Sequence, residues 1–449
     1  MIDIKIKNFV KKLSIKQKIA ITIILLVFVR IGSLIRMPFI NADYMKAILA
    51  GNNLGILSIL TGTSLSEMGI FALSISPYIS ASIIIQLLTI VFPSLEEMAK
   101  DGKTGQDKYK KVIRYTGIGL GFIQALAMSV GFGKQGLITP FNVLTVICAT
   151  ATWTIGATIL IAIGEFIELF GIGSGISMIL FLNIISTIPN DIKSIYDMYI
   201  AGKSIGAAVV ATAITLIVTF TVLFICTFLT NAEKRITLTT SKRISNYDTQ
   251  KNTTVMPIPF LTCSVMPVIF ASSLMSMPVI ISRFIPKLQT GIIGEAISTL
   301  SQGNWFDINN PLRSVGAVIY VALTMFFTYF YLSIQYNAME IANNLKKTGN
   351  VIAGIRPGKP TADYLENITK KVAIAGNACL VAMILITTFI TNICGFSNFA
   401  LGGTSAIIAI SVIHDVRSKL SAELQSNRVY AKHRSQLFGA TERKVVSNG

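Results

Sequence analysis

The chain has 449 residues, of which 52% are hydrophobic and 13% are charged, and its mean hydropathy is +0.65. These values lie far outside the range of ordinary soluble domains and exclude that class. The formal net charge of +18 is compatible with a nucleic-acid partner or with a membrane topology, and the placement of the basic residues decides between the two.

Ten apolar segments predict an all-α, polytopic membrane protein with ten transmembrane helices. A helix needs roughly 20 apolar residues to cross the hydrocarbon core of a bilayer. Six lysines precede the first segment as in a signal peptide, but Arg30, Arg36 and the lack of a small-residue cleavage site favour a retained helix. The segments, named spans 1 to 10 in chain order, cover about 19–38, 68–92, 116–132, 143–167, 175–189, 206–230, 264–285, 314–336, 373–394 and 400–416.

The segment before span 2, GILSILTGTSLSEMG at 55–69, is apolar at several positions but too short to cross the membrane. Such a segment is expected to be re-entrant or packed within protein. Span 2 contains Pro77, several serines and Gln86. Small and hydroxyl residues allow close helix packing and can satisfy a backbone broken by proline, although an ordinary packed span fits the same residues.

Known catalytic and metal-binding motifs are missing from the sequence. The five cysteines form no CxxC pair and the chain has two histidines, so no metal site is expected and the cysteines fit small buried hydrophobic residues. GIGSG at 171–175 lacks the full dinucleotide fingerprint, and RPGKPT at 356–361 lacks the upstream glycine of a phosphate-binding loop. We therefore expect no enzyme activity, no cofactor and no direct nucleotide binding.

Carboxylates inside the spans would indicate ion coupling. Glu165 and Glu168 lie near the inner end of span 4, and the centres of the later spans carry no clear acidic residue. An ion-coupled secondary transporter with inverted repeats is therefore a weakly supported alternative.

The basic residues set the topology. With the N-terminus inside, the inner segments carry 30 of the 39 Lys and Arg residues, which fixes an N-in, C-in orientation for ten spans. Ten spans divide into two five-helix halves of opposite orientation, which usually meet at a central functional axis. The predicted parts are an inner segment 1–18, a first half 19–189, an outer loop 190–205, a second half 206–416 with inner loops 231–262 and 338–372, and an inner tail 417–449.

The inner loop before span 9 reads GIRPGKPTADYLENITKK at 354–371. It is stiff, basic and rich in turn residues, between two apolar runs. Prolines restrict the backbone, so less entropy is lost when such a loop docks on a partner. This composition indicates a binding surface rather than a simple connection, although topogenic charge in a structural turn would also fit.

Several motifs, in this order along the chain, resemble the SecY family, the central subunits of the bacterial protein-translocation channel. They are FALSISPYISASIIIQLLTIVFPSLEEM, GIGSGIS, MPVIFASSL, FFTYFYLSIQYN, IANNLKKTGNVIAGIRPGKPTADYLENI and GGTS. The resemblance implies an hourglass pore between the halves, a plug helix at about 55–67 and a lateral gate between spans 2 and 7. Unfolded preproteins would pass through the pore, and their apolar segments would leave sideways into lipid.

The resemblance also implies roles for individual residues, although each residue alone would fit plain packing. The pore ring corresponds to Ile75, Ile79, Ile176, Leu180, Ile269, Ile281 and Ile408. The plug corresponds to Ile56, Leu57, Ile59, Leu60 and Leu65, and the lateral gate to Ser80, Ser82, Gln86, Ser272 and Ser273. The surface for a motor or ribosome corresponds to Arg356, Pro357, Gly358, Lys359, Lys234, Arg235 and Arg243.

The implied partners are the SecE and SecG subunits, the SecA motor ATPase, the translating ribosome, signal sequences and membrane lipid, in the bacterial cytoplasmic membrane. Two stretches depart from the family pattern. EKRITLTTSKR at 233–243 lacks the usual proline and tyrosine, and IELFGIGSGIS at 167–177 has Glu168 where a small polar residue is usual. An accessory SecY for a restricted substrate set is thus an alternative, but the long 338–372 loop favours the general channel.

Overall fold

The computed structural model describes residues 14–41, 61, 63–196, 205–240, 253–261, 266–284, 288, 290–301, 305–306, 310–393, 404–421 and 424. Within these residues one long helix corresponds to each predicted span, which confirms the predicted polytopic helical fold. In chain order the ten helices are Ile15–Leu34, Ser76–Val91, Gly102–Phe132, Val143–Phe170, Gly175–Ile195, Ile205–Asn231, Met266–Phe284, Val315–Gln335, Lys359–Ile393 and 404–421.

Five of the described helices are long and apolar enough to cross a membrane by length and composition alone. Span 2 becomes a sixth when it is counted with the following helix Pro93–Lys100, from which it is bent by 115°. Spans 5, 6 and 7 contain shorter apolar helical stretches. The described helices therefore differ in how much continuous apolar length each one has.

Two helix starts differ from the apolar boundaries. Span 2 begins at Ser76 rather than at 68, because residues 70–75 form turns and Pro77 suits the first turn of a helix. Span 9 begins at Lys359 rather than at 373, and the Thr361 hydroxyl donates to the Arg356 carbonyl at 2.8 Å across its start. Hydropathy marks the part of a helix inside lipid, and a helix can continue beyond it with polar residues.

The predicted inner loops contain a small sheet that the sequence analysis did not anticipate. Strand β1 (Glu233–Thr240) lies between β2 (Thr253–Pro259) and β3 (Asn350–Ile352), and both pairings are antiparallel. Ile236 and Leu238 of β1 are buried, which is the alternation of a half-buried strand. The two aliphatic side chains pack with residues that include Leu365 of span 9. The loop after span 6 and the loop before span 9 therefore form one folded unit.

The interior is organised around one large apolar cluster, the central cluster, with side chains from spans 1, 2, 4 and 5 of the first half and from spans 6 to 10 of the second. A smaller cluster joins the end of span 1 to residues 65–73 and to spans 3 and 4. Between the halves, span 3 contacts span 7. The central cluster and this contact between spans 3 and 7 are where the two halves meet.

Candidate functional site

The residues of the predicted pore ring converge in the central cluster. Those from the first half are Ile75 and Ile79 of span 2 and Leu180 of span 5. Ile269 of span 7 and Ile408 of span 10 join them from the second half, and all five are buried. Ile176 is partly buried and packs against the same cluster. Side chains that are far apart in sequence thus belong to one apolar cluster that both halves share.

Ile281 is the exception among the predicted ring residues. Its side chain is 49% exposed, and it lies outside the central cluster. At 1.5 Å per residue, a helix carries it about 18 Å beyond Ile269 along span 7. The sequence interpretation assigned both residues to one ring, and the structure separates them because they are more than three turns apart.

The plug region is described only at its C-terminal end. Leu65 lies in the short helix Thr63–Ser66 and is buried in the smaller cluster, beside Met37 and Met68. This helix contacts spans 1 and 5. The other predicted plug residues, Ile56, Leu57, Ile59 and Leu60, lie outside the described residues.

Residues 67–75, named the hinge segment, connect this short helix to span 2. The Arg36 guanidinium contacts one Glu67 carboxylate oxygen through two nitrogens, at 2.6 and 3.1 Å. The Ile70 amide donates to the Ile35 carbonyl at 3.1 Å. At the other end of the segment, the Asn183 side-chain amide of span 5 donates to the Ser74 hydroxyl at 2.8 Å. Sequence reasoning missed Ser74 and Asn183, although a lone amide in span 5 is a usable signal.

The predicted lateral-gate residues lie in the helices of spans 2 and 7. Ser80 and Ser272 are buried, and Gln86 donates to the Ser82 hydroxyl at 3.1 Å. The Gln86 carbonyl oxygen and the Ser273 hydroxyl are buried without a hydrogen-bond partner among the described residues. The two helices therefore carry polar atoms that are costly to keep dry.

The basic surface belongs to the folded unit built around the sheet. Arg356, Pro357 and Lys359 are exposed, and Gly358 adopts a φ of +109°, a conformation that favours glycine. Lys234 is exposed at the start of β1. Of the other two predicted residues, Arg235 forms an ion pair with Glu233 at 2.7 Å, and Arg243 lies outside the described residues. Because β1 pairs with β3, the basic residues of the loop after span 6 and of the loop before span 9 are attached to the same sheet.

The carboxylates near the C-terminal end of span 4 are both paired with span 3. Glu165 accepts from Arg114 at 2.7 Å, and Glu168 accepts from Lys110 at 2.6 Å. Each pair is partly exposed. These contacts fasten two neighbouring helices and do not favour an ion-coupling site.

Comparison with known proteins agrees with this architecture. A family model described as SecY matches residues 69–417. The protein translocase subunit SecY of Bacillus subtilis (strain 168) is 35% identical over 427 residues, which cover 93% of this chain and 96% of that protein.

Two solved structures resemble the fold. One is described as the structure of a protein conducting channel and has a TM-score of 0.66 at 18% identity, covering 92% of this chain and 93% of its own. The other is Sec61 in the canine ribosome-channel complex from the endoplasmic reticulum, with a TM-score of 0.61 at 18% identity and the same coverage. The resemblance in fold therefore extends over nearly the whole chain.

Proposed function

This chain belongs to the SecY family of protein translocase subunits, and from that premise we propose how it works as a protein-conducting channel. Unfolded preproteins pass through the constriction between the two halves and cross the bacterial cytoplasmic membrane. Apolar segments leave between spans 2 and 7 into lipid. The observation that carries this proposal is the convergence of Ile75, Ile79, Leu180, Ile269 and Ile408, from both halves, in one buried cluster.

A ring of branched aliphatic side chains suits a conduit for many different polypeptides. Such side chains form no hydrogen bonds, so they surround a moving chain without holding it. A narrow apolar constriction also disfavours water and ions by dewetting. The proposed ring consists of the five buried residues with Ile176 at its edge, and it leaves out Ile281.

The polar atoms on spans 2 and 7 favour a gate that can separate. The Gln86 carbonyl oxygen on span 2 and the Ser273 hydroxyl on span 7 carry a desolvation cost while they are buried and dry. That cost is removed when water enters between the helices. The closed state is therefore held mainly by apolar packing, and an apolar signal sequence could replace that packing.

Docking of a motor or ribosome is assigned to the sheet unit. Arg356 offers a planar, permanently charged fork for carboxylate, carbonyl or phosphate groups. Pro357 and the sheet beneath the loop restrict its motion, which lowers the entropy cost of binding. We assign SecA and the translating ribosome to this inner surface, with SecE and SecG as further subunits, in an N-in, C-in membrane topology without direct nucleotide binding or enzyme activity.

Complementation in a bacterium whose own SecY can be depleted tests the function. Depletion leads to accumulation of precursors that retain their signal sequences, and expression of this chain is expected to remove them. Continued accumulation while the chain is present in the membrane would reject the channel function. Removal of only a few precursors would indicate the accessory channel, and restored uptake of a small solute without protein export would indicate a transporter.

A further inference from the structure

A buried hydrogen bond lies next to the constriction and joins two segments that are far apart in sequence. The Asn183 side-chain amide donates to the Ser74 hydroxyl at 2.8 Å. Asn183 is 6% exposed and Ser74 is 2% exposed. Leu180 of the ring precedes Asn183 by nearly one helical turn, and Ile75 of the ring directly follows Ser74. The bond therefore connects the two chain segments that carry Ile75 and Leu180 of the proposed ring.

The backbone at Ser74 is unusual for a serine. Its φ is +50°, in the left-handed region that glycine and asparagine adopt more readily. The Ser74 amide donates to the Phe71 carbonyl at 2.9 Å, which closes a turn just before span 2. Ile75 follows with φ −95° and ψ 2° as the residue that precedes the span 2 helix. A strained turn thus sets the position of Ile75.

We propose that Asn183 is a positioning residue that holds the constriction closed through Ser74. The amide fixes the strained turn and so keeps Ile75 packed against the span 5 side of the ring. A hydrogen bond in a dry apolar cluster is stronger than one in water, and a Ser74 hydroxyl that loses this donor is costly to bury. This inference rests on the proposed channel function.

The alternative is that the bond only stabilises the fold. A purely structural bond would affect the amount of inserted protein and its melting temperature without changing how tightly the pore closes. A positioning role changes the balance between closed and open channels. Loss of one hydrogen bond is expected to shift such a balance by about fivefold.

The experiment uses the full chain with its native partner subunits in a depletion strain. Asn183→Leu and Ser74→Ala each remove the bond. Alanine at position 74 must adopt the same left-handed backbone conformation as serine, so Ser74→Ala changes the side chain alone. The double variant and the exchanged pair Ser74→Asn with Asn183→Ser complete the cycle, since asparagine suits the conformation at position 74. Thr187→Val is the control. Among the described contacts, the Thr187 hydroxyl donates only to the Ile184 carbonyl of the same helix, at 2.8 Å.

The readouts are export of a reporter with a defective signal sequence and resting ion conductance in planar bilayers. Each single variant is expected to raise both the export and the conductance by about fivefold. The double variant is expected to raise them no further, and the exchanged pair and the control are expected to stay near wild type. Unchanged readouts in the single variants, or additive effects in the double variant, would overturn the proposal. If Asn183→Leu fails to insert, Ser74→Ala and the exchanged pair decide the question by the same readouts.

The wild-type channel, assayed with a reporter that carries an intact signal sequence, tests the function itself. If it exports no reporter, the channel function fails. If it exports normally while every bond variant matches it, only the positioning role fails.

Discussion

The Lys110 ammonium lies 2.6 Å from a Glu168 carboxylate oxygen and joins span 3 to span 4. Arg114 and Glu165 form a second pair at 2.7 Å, about one turn along each helix, so the two helices run antiparallel here. The sequence interpretation took Glu168 as a departure from the family pattern, and its partner on span 3 gives this residue a physical role. Two ion pairs therefore join the C-terminal end of span 4 to span 3.

We expect charge reversal at Arg114 or Glu165 to destabilise the contact between spans 3 and 4. Both side chains are 31% exposed, so solvent screens the pair, and Arg114→Glu or Glu165→Arg is expected to cost about 1 kcal/mol. The exchanged double variant restores an attractive pair and is expected to recover most of the loss. Thermal unfolding of purified protein in detergent measures these effects.

The exposed Lys111→Glu serves as the control for general effects of added negative charge on span 3. The interpretation is wrong if the exchanged pair is as unstable as the sum of its single variants.

Close packing between span 4 and the hinge segment leads to a second prediction. A Cβ atom added at Gly156 would lie 2.3 Å from the Ile70 carbonyl oxygen, a backbone atom that cannot move aside alone. Gly156→Ala is therefore expected to destabilise the protein by about 1–3 kcal/mol. Gly119→Ala in span 3 is the matched control, since its Cβ would meet nothing within 4 Å and alanine favours a helix. Equal melting temperatures for both variants would contradict the described packing.

The fold was predictable from the sequence to the extent that apolarity reports burial in lipid. Ten apolar runs located ten helices, but the starts at Ser76 and Lys359 depend on local turns that hydropathy does not register. The β1–β2 pair was missed because residues 231–262 were interpreted as a charged inner loop, and β3 was missed because it has three residues and pairs with β1 from a distant loop. Local patterns cannot reveal a strand whose partner is more than a hundred residues away.

The candidate site was predictable only in part for a related reason. The resemblance located Ile75 and Ile269, which the structure brings into one cluster, and it also included Ile281, which lies elsewhere. A motif gives positions along a helix, whereas membership of a ring depends on depth and direction. The Ser74–Asn183 bond joins two distant segments of the chain and has no signature within either.

The inner surface supports a prediction about docking. Arg356→Glu is expected to leave insertion and thermal stability nearly unchanged, because the side chain is exposed. It is expected to block motor-driven export, because an attractive charge becomes repulsive at the proposed contact. Lys347→Glu, an exposed residue of the helix Ala338–Thr348, is the control for charge on this side of the protein. Normal secretion in cells carrying only the Arg356 variant would exclude a docking role.

Membrane orientation can be tested by labelling single cysteines in a variant without native cysteines. Arg356→Cys is expected to react only after the membrane is opened, and Leu312→Cys, at an 81% exposed position, is expected to react from outside. The reason is the concentration of basic residues in the segments predicted to lie inside. Labelling of position 356 in intact cells would reverse the proposed topology.

The constriction itself is tested by placing an amide among the aliphatic side chains. Ile269 is buried in the central cluster, and Ile269→Asn puts a polar group among its aliphatic side chains while the pore is closed and dry. Burial of an unpaired amide costs roughly 1–3 kcal/mol, and a hydrated open pore removes that cost. The variant is expected to leak small ions and to export proteins with defective signal sequences.

Ile281→Asn provides the matched comparison, because it makes the same substitution in the same helix at a side chain that is half exposed and outside the cluster. The two variants change composition and helix propensity equally, so a difference between them reports position alone. We expect conductance in planar bilayers to rise for Ile269→Asn and to stay near wild type for Ile281→Asn. If both leak, span 7 is generally sensitive to polarity, and if neither leaks, Ile269 is ordinary packing and the constriction lies elsewhere.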